Sequence, residues 1–375
     1  MLKLQDIAKP VSGQEEGPRE ATQDSIVRTI EPGLEYRSPM LSVLKRLRRR
    51  RGRTRKLAQR KSTAPGVDNI TGRILSLVHR VCPSMLTELY NCCVEEGSVP
   101  VRWKRARVVL LKKAVKPDGE PSSYKPICLL NVVGKVFEAI LVGRLEVHIE
   151  SRGGLSPNQH GFTKGKSTND AVLKLRQEIL PAINFPSEMF CLAVSLDISN
   201  AFNSIGWTEV MAALDALEVP IYLRRIFGDY FQGRTAETRA GKSSADVRVT
   251  CGVPQGSVVG PLLWNIAYDK VLRLELPAGA KILGFADDTM ILVSGVTISE
   301  LERKANEALG AVSEEIRKIG LALAVNKTEA VLFTNKYKFA TPAVMLEDHP
   351  LELKQQMKYL GIVVDRRLSY KEHIA

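Results

Sequence analysis

From residue 62 onward, short apolar runs alternate with amphipathic stretches, and none of the runs approaches the ~20 residues needed to cross a bilayer. The run Phe190–Leu196 (FCLAVSL) predicts a buried strand that delivers Asp197 at its end. Residues 207–217 follow as a helix, with apolar positions at Val210, Met211, Leu214 and Leu217. Two further apolar runs, 282–285 and 290–293, flank Ala286-Asp287-Asp288-Thr289 and predict a β-hairpin. The clearest helix comes next. Ser299 and Glu302 have capping-box spacing, and Leu301, Ala305, Ala308, Val312, Ile316 and Ile319 recur three and four apart until Gly320. Residues 321–325 and 330–333 then read as strands. Strand, helix, hairpin, helix, strand is the order of a split β-α-β (ferredoxin-like) antiparallel sheet. The expected class is therefore α+β, with helices on one face.

Composition adds the kind of partner. The chain carries 54 Lys+Arg against 41 Asp+Glu, a net charge of +13, with 44% hydrophobic residues. That excess favours a polyanion, because each phosphate neutralised by Lys or Arg releases condensed counterions. The charge is concentrated: eleven of the 17 residues at 45–61 are basic. A solvated arm, a nucleic-acid arm and a nuclear import signal all fit such a run. Residues 1–61 are expected to be a flexible, basic extension, and the rest one continuous catalytic unit.

The six cysteines, Cys82, Cys92, Cys93, Cys128, Cys191 and Cys251, form no C-x-x-C pair and suggest neither a zinc site nor a disulfide framework. The first residues, MLKLQDIAKPVSGQEE, lack the apolar stretch of a signal peptide. An intracellular location, in nucleus and cytoplasm, is the expectation.

The acidic residues carry the chemistry. Asp197 ends a strand and Asp287-Asp288 occupy a hairpin turn, so the three carboxylates converge if those strands are neighbours. Mg²⁺ prefers hard oxygen ligands and retains waters, so two or three carboxylates plus substrate phosphates suffice to bind it. Two such ions suit in-line attack of a 3′-hydroxyl on an α-phosphate. Asp-Asp in a turn is ordinary by itself. Its company is not: the pair sits in LGFADDTMILV, Asp197 in SLDISNAFNSI, and GVPQGSVVGPLLWNI lies between them.

Together with APGVDNI, WKRARVVLLKK, SSYKPICLLNVVGKVFEAIL, NQHGFTKGKSTNDAV, GLALAVNKTEAVLF and KYLGIVVD, in this order, these segments resemble the motif series of non-LTR (LINE-type) retrotransposon reverse transcriptases. The resemblance runs over residues 63–374. FTKGKSTNDA and KYLGIVVDRRLSYKEHI are most similar to the arthropod jockey-like and ribosomal-DNA-inserting branch.

The resemblance implies a right-hand polymerase with fingers at 62–185, a palm at 186–340, and a primer-grip hairpin with the start of a thumb connection at 341–375. Neither an endonuclease signature nor a Cys/His knuckle accompanies them, which suggests a fragment without endonuclease or thumb. The metal ligands implied are Asp197, the adjacent Ile198, Asp287 and Asp288, with two Mg²⁺ ions and Mn²⁺ as substitute. Phe202 falls at the steric gate that excludes a 2′-hydroxyl, and Gln255 and Gly256 fall where the family contacts the incoming nucleotide. Lys113 and Lys125 are placed to neutralise the triphosphate, although the family more often has Arg at the second position. Lys327 falls near the pyrophosphate as a proton donor, and Tyr359, Leu360 and Gly361 at the primer grip. The implied partners are template RNA, a DNA primer and dNTPs. A viral RNA-dependent RNA polymerase would usually carry Asp rather than Phe202 at the gate and Gly rather than Ala286 before the Asp pair. The other alternative is a weak or inactive remnant that only binds nucleic acid.

Overall fold

The computed structural model describes residues 64–112, 123–240, 243–370 and 373; the basic run at 45–61 and Lys113 lie outside them. The described chain starts with helices α1 (Gly72–Val81) and α2 (Met85–Glu96), a single turn α3 (Val101–Lys104), and strands β1 (Arg105–Lys112) and β2 (Tyr124–Leu129). Helix α4 (Val132–Ser151) follows, with Val133, Phe137, Leu141, Leu145 and Ile149 all buried, as expected for a helix surrounded by protein. The Ser167 side chain and Asp170 form a capping box that opens α5 (Thr168–Ile183).

Strand β3 (Phe190–Leu196) has the predicted bounds. After it come α6 (Ala201–Ser204), α7 (Trp207–Ala216), α8 (Ile221–Phe231), β4 (Thr235–Ala240) and β5 (Ser243–Arg248). Helix α9 (Gly260–Leu272) leads to the hairpin β6 (Ala280–Phe285) and β7 (Asp288–Gly295), then to α10 (Ile298–Lys318) and β8 (Glu329–Phe333). Short strands β9 (Met345–Leu346), β10 (His349–Pro350) and β11 (Leu353–Lys354) precede a last hairpin, β12 (Gln356–Tyr359) and β13 (Ile362–Asp365).

The main sheet has the order β11-β8-β3-β7-β6. β3 lies antiparallel between β7 and β8, which is the strand order of a split β-α-β unit, while two-residue β11 adds a parallel edge. Helices cover both faces, not one as expected. On the first face Leu192, Val194 and Leu196 of β3 pack in one core with Leu301, Ala305, Ala308 and Val312 of α10. On the second, Cys191 and Ala193 pack with Leu175 and Ile179 of α5 and with Met357 and Val364 of the last hairpin. Double coverage is why β3 reads as an unbroken apolar run rather than an alternating one.

Two local expectations need correction. Helix α10 is capped by Thr297, whose side chain accepts the Glu300 N–H, while Glu300 accepts from Val296 N at 2.8 Å. Glu302 instead accepts from Ala343 N at 2.9 Å and ties down the chain ahead of β9. Residues 321–325 form no strand either. They hold one bridge, Ile198 to Leu323, and then turn into a 3-10 helix at Val325–Lys327. The second sheet, β2-β1-β4-β5, draws in hairpin 235–248 from the region between β3 and β6. Among the described residues no helix is long and apolar enough to cross a membrane.

Candidate active site

The register of β3 on β7 pairs Leu196 with Thr289. Asp197 directly follows Leu196 and Asp288 directly precedes Thr289, so both acidic segments stand at the same end of adjacent strands. The β6–β7 hairpin pairs Phe285 with Asp288 and leaves a two-residue turn, Ala286-Asp287. Beyond Leu196 the chain pairs with the segment before Lys327: Ser199 N donates to Ala322 O and Ala324 N to Asp197 O, each at 2.8 Å. Main-chain groups alternate in such a pair, so the Ile198 carbonyl is not bonded to Leu323.

Asp287 and Asp288 each bear the influence of a neighbouring carboxylate. Burial, then Asp287 and then Asp197, push the Asp288 carboxyl up to about 6 from its ordinary 3.8. By surface area Asp288 is exposed and Asp287 half-buried, so solvent screens part of this effect at Asp288. Asp287 is also raised, first by burial and then by Asp197, against the opposing pull of Lys125. Lys327 Nζ lies 3.4 Å from Asp197 Oδ2. The structure therefore brings Asp197, Asp287, Asp288, Lys125 and Lys327 to one place. Among the described residues no three His, Cys, Asp or Glu side chains are arranged to enclose an ion as they stand. The chemistry of the donors still fits a hard cation: carboxylate oxygens, two of them on groups whose ionisation the neighbouring acids disfavour, an effect that a divalent ion would relieve.

Phe202, on α6, presses its ring against Trp264 at 4.8 Å between centroids and meets Phe162 edge-on at 5.7 Å. Its carbonyl accepts Val253 N at 2.7 Å, which fastens Phe202 to the segment that carries Gln255. The Gln255 carbonyl accepts Cys128 N at 2.7 Å, while its side-chain oxygen is buried without a partner among the described atoms. Gly256, with φ +116°, passes so close to β2 that a Cβ would lie 2.5 Å from Cys128 O. The close approach that this glycine permits is thus to protein backbone.

Tyr359 and Ile362 pair at the end of the last hairpin, leaving Leu360 (φ +49°) and Gly361 (φ +89°) as its turn. Tyr359 is 2% exposed. Burial raises its phenol well above the ordinary range, and Asp288 adds to the effect, which puts this hairpin beside the acidic turn.

Several contributors escape sequence reasoning. Buried Glu138 accepts from Tyr230 OH at 2.9 Å and from Val258 N at 2.6 Å, and so braces the chain just beyond Gly256. Trp264 Nε1 and the buried side chain of Gln159 both bind the carbonyl of Ala286. Each lies inside a motif segment, but nothing in a sequence marks a polar side chain as buried.

Residues 111–364 match the family described as reverse transcriptase (RNA-dependent DNA polymerase). Among curated proteins, the chain is 33% identical over 314 residues to the putative 115 kDa protein in type-1 retrotransposable element R1DM of Drosophila melanogaster, covering 83% of this chain and 30% of that one. It is 30% identical over 352 residues to the retrovirus-related Pol polyprotein from type-1 retrotransposable element R1 of Bradysia coprophila, covering 93% and 33%. The RNA-directed DNA polymerase from mobile element jockey of Drosophila melanogaster is 26% identical over 319 residues, covering 83% and 34%. The chain thus spans about a third of the length of these relatives. Among solved structures, apo telomerase from Candida tropicalis, truncated from the C-terminal domain, superposes with a TM-score of 0.52 at 11% identity, over 83% of this chain and 62% of that one. At that identity the likeness is one of fold.

Proposed function

This chain belongs to the reverse transcriptase (RNA-dependent DNA polymerase) family, as a non-LTR retrotransposon type related to the R1 and jockey elements, and from that premise we propose that it copies RNA into DNA by two-metal nucleotidyl transfer at Asp197, Asp287 and Asp288. The observation that carries this reading is the β3–β7 register, which brings Asp197 and Asp288 to the same end of neighbouring strands with Asp287 in the adjoining turn.

In this reading the main sheet is the palm, residues 62–185 supply the fingers together with the hairpin at 235–248, and 341–375 contain the primer grip. The carboxylates of Asp197, Asp287 and Asp288 and the Ile198 carbonyl would hold Mg²⁺, or Mn²⁺ in its place. When bound, the ions supply an activated 3′-hydroxyl and a neutralised pyrophosphate. Lys125, whose charge reaches Asp287, neutralises the triphosphate, with Lys113, outside the described residues, serving the same end. Lys lacks the two-pronged grip of Arg, so Lys125 contributes charge rather than orientation. The Phe202 ring, wedged against Trp264, has little freedom to retreat from a ribose 2′-hydroxyl, so dNTPs are selected. Gln255 offers its unpartnered oxygen to the nucleotide. Lys327 gives a proton to the leaving pyrophosphate. The hairpin Tyr359, Leu360 and Gly361 supports the primer's 3′ end. The proposed partners are template RNA, a DNA primer and dNTPs, and the proposed location is intracellular, in nucleus and cytoplasm.

The test is extension of a DNA primer annealed to an RNA template, with Mg²⁺ and dNTPs. Extension that stops on chelation supports the proposal. Binding of the duplex without any extension, under Mg²⁺ or Mn²⁺, supports a chain that only holds nucleic acid.

A further inference from the structure

Ala286 immediately precedes the acidic pair and has φ +59°, in the left-handed region that favours glycine. Such a conformation persists only where its surroundings impose it. Here they do so through Gln159, a residue 2% exposed and 127 positions away in sequence. Its Oε1 accepts the Ala286 N–H at 3.0 Å and the Gly161 N–H at 2.9 Å, and its Nε2 donates to the Ala286 carbonyl at 3.3 Å. One side-chain amide thus pairs with both main-chain groups of Ala286, as a neighbouring strand would. Trp264 Nε1 adds a second donor to the same carbonyl at 3.0 Å.

The segment around Gln159 is itself fixed. His160 N donates to Gly284 O at 2.8 Å and Gly284 N to Asn158 O at 2.9 Å, so residues 158–160 run as an extra edge beside β6. At Gly161 a Cβ would fall 2.0 Å from Ala286 N, so the backbone there leaves no room for one. The next residue, Phe162, touches the ring of Phe202. One short segment therefore holds the acidic turn and borders the gate.

We infer that Gln159 is a positioning residue for the acidic turn: by clamping Ala286 in its left-handed conformation it aims Asp287 and Asp288, and so sets the affinity of the site for divalent cations without touching them. The inference rests on the function proposed above and goes further, by assigning the aim of the carboxylates to a residue outside the ligand set. It also explains how this hairpin can carry alanine where glycine would be free of strain.

The decisive comparison is Mn²⁺ binding to the full chain, read from the loss of the free-ion electron paramagnetic resonance signal. It requires wild type, Asp287→Asn, Gln159→Met, Ala286→Gly and the double variant Gln159→Met/Ala286→Gly. Methionine keeps the volume of glutamine and removes all three hydrogen bonds. Partners that orient metal ligands typically contribute 10–100-fold in affinity. Gln159→Met is expected to weaken binding by about that factor, and Ala286→Gly to leave it near wild type. The double variant should recover most of the loss, because glycine takes up the turn unaided. Gln159→Met binding within twofold of wild type, or a double variant no better than Gln159→Met alone, would overturn the clamp. If Gln159→Met fails to fold, the double variant is still expected to fold and bind, and its failure to do either also counts against the clamp. Wild type with no Mn²⁺ binding sensitive to Asp287→Asn would instead overturn the metal site itself, and the clamp with it.

Discussion

Lys327 Nζ stands 3.4 Å from Asp197 Oδ2 and joins the turn ahead of β8 to the end of β3. A lysine there can act in two ways, by neutralising a metal ligand or by donating a proton to the leaving group. Lys327→Arg keeps the charge but is a far poorer acid. If Lys327 is the donor, both Lys327→Arg and Lys327→Ala should lower kcat for dNTP addition by about 10²-fold, with dNTP KM within threefold. Single-turnover kinetics would show it. Loss in Lys327→Ala alone would assign the residue to charge balance.

Phe202 is held by Trp264 at 4.8 Å and by its backbone bond to Val253. Phe202→Val should open the sugar pocket and raise rNTP use relative to dNTP use by an order of magnitude or more, ~1.4 kcal/mol in selectivity. Removing the ring from its aromatic neighbours should also cost about 1–3 kcal/mol of stability. Competition between rCTP and dCTP on one template measures the first effect. An unchanged ratio would mean the ring is only core.

The raised Asp288 carboxyl makes a prediction about stability. The unfolded group titrates near 3.8 and the folded one at about 6. The fold therefore favours the protonated form: its contribution is complete below about pH 3.8 and is lost as pH rises through 6. Asparagine has no charge to lose. Asp288 is exposed and solvent screens much of this effect, so Asp288→Asn should unfold only slightly above wild type, by about a degree, at pH 8 in chelator, and the gap should close toward pH 4. Thermal unfolding at the two pH values decides it; an equal gap at both would refute the electrostatic cause.

The basic run at 45–61 lies outside the described residues, and its role is tested by salt. Deleting it should flatten the dependence of log K on log[salt] for duplex binding, by roughly 0.7–0.9 for each phosphate that the run neutralises. An unchanged slope would leave it as an import signal or a passive tail.

What is legible in the sequence follows from where the physics is local. β3 can be read because a strand covered on both faces is apolar at nearly every position. Helix α10 can be read from its three-and-four spacing, and the three acidic residues from their place at strand ends. The cap of α10 is ambiguous because Thr297/Glu300 and Ser299/Glu302 share the same spacing, and only the extended backbone at Thr297 (φ −117°) separates them. The β4–β5 hairpin joins β1 through a parallel pairing that runs from Arg105 to Thr235, far apart in the chain, and no local pattern announces it. Ala286 hides its strain by not being glycine, and Gln159 hides its role because burial and partner are both set by the tertiary fold.

The central claim is that Asp197 and Asp287 bind the metals that carry out nucleotide addition. Its most direct test is single-nucleotide extension of a DNA primer on an RNA template over a Mg²⁺ titration, comparing wild type with Asp197→Asn and Asp287→Asn, with duplex affinity measured alongside. Extension by wild type should saturate with Mg²⁺, and each variant should lose at least 10³-fold, about 4 kcal/mol, while duplex binding stays within a few-fold. Either variant extending the primer at the wild-type rate would contradict the claim.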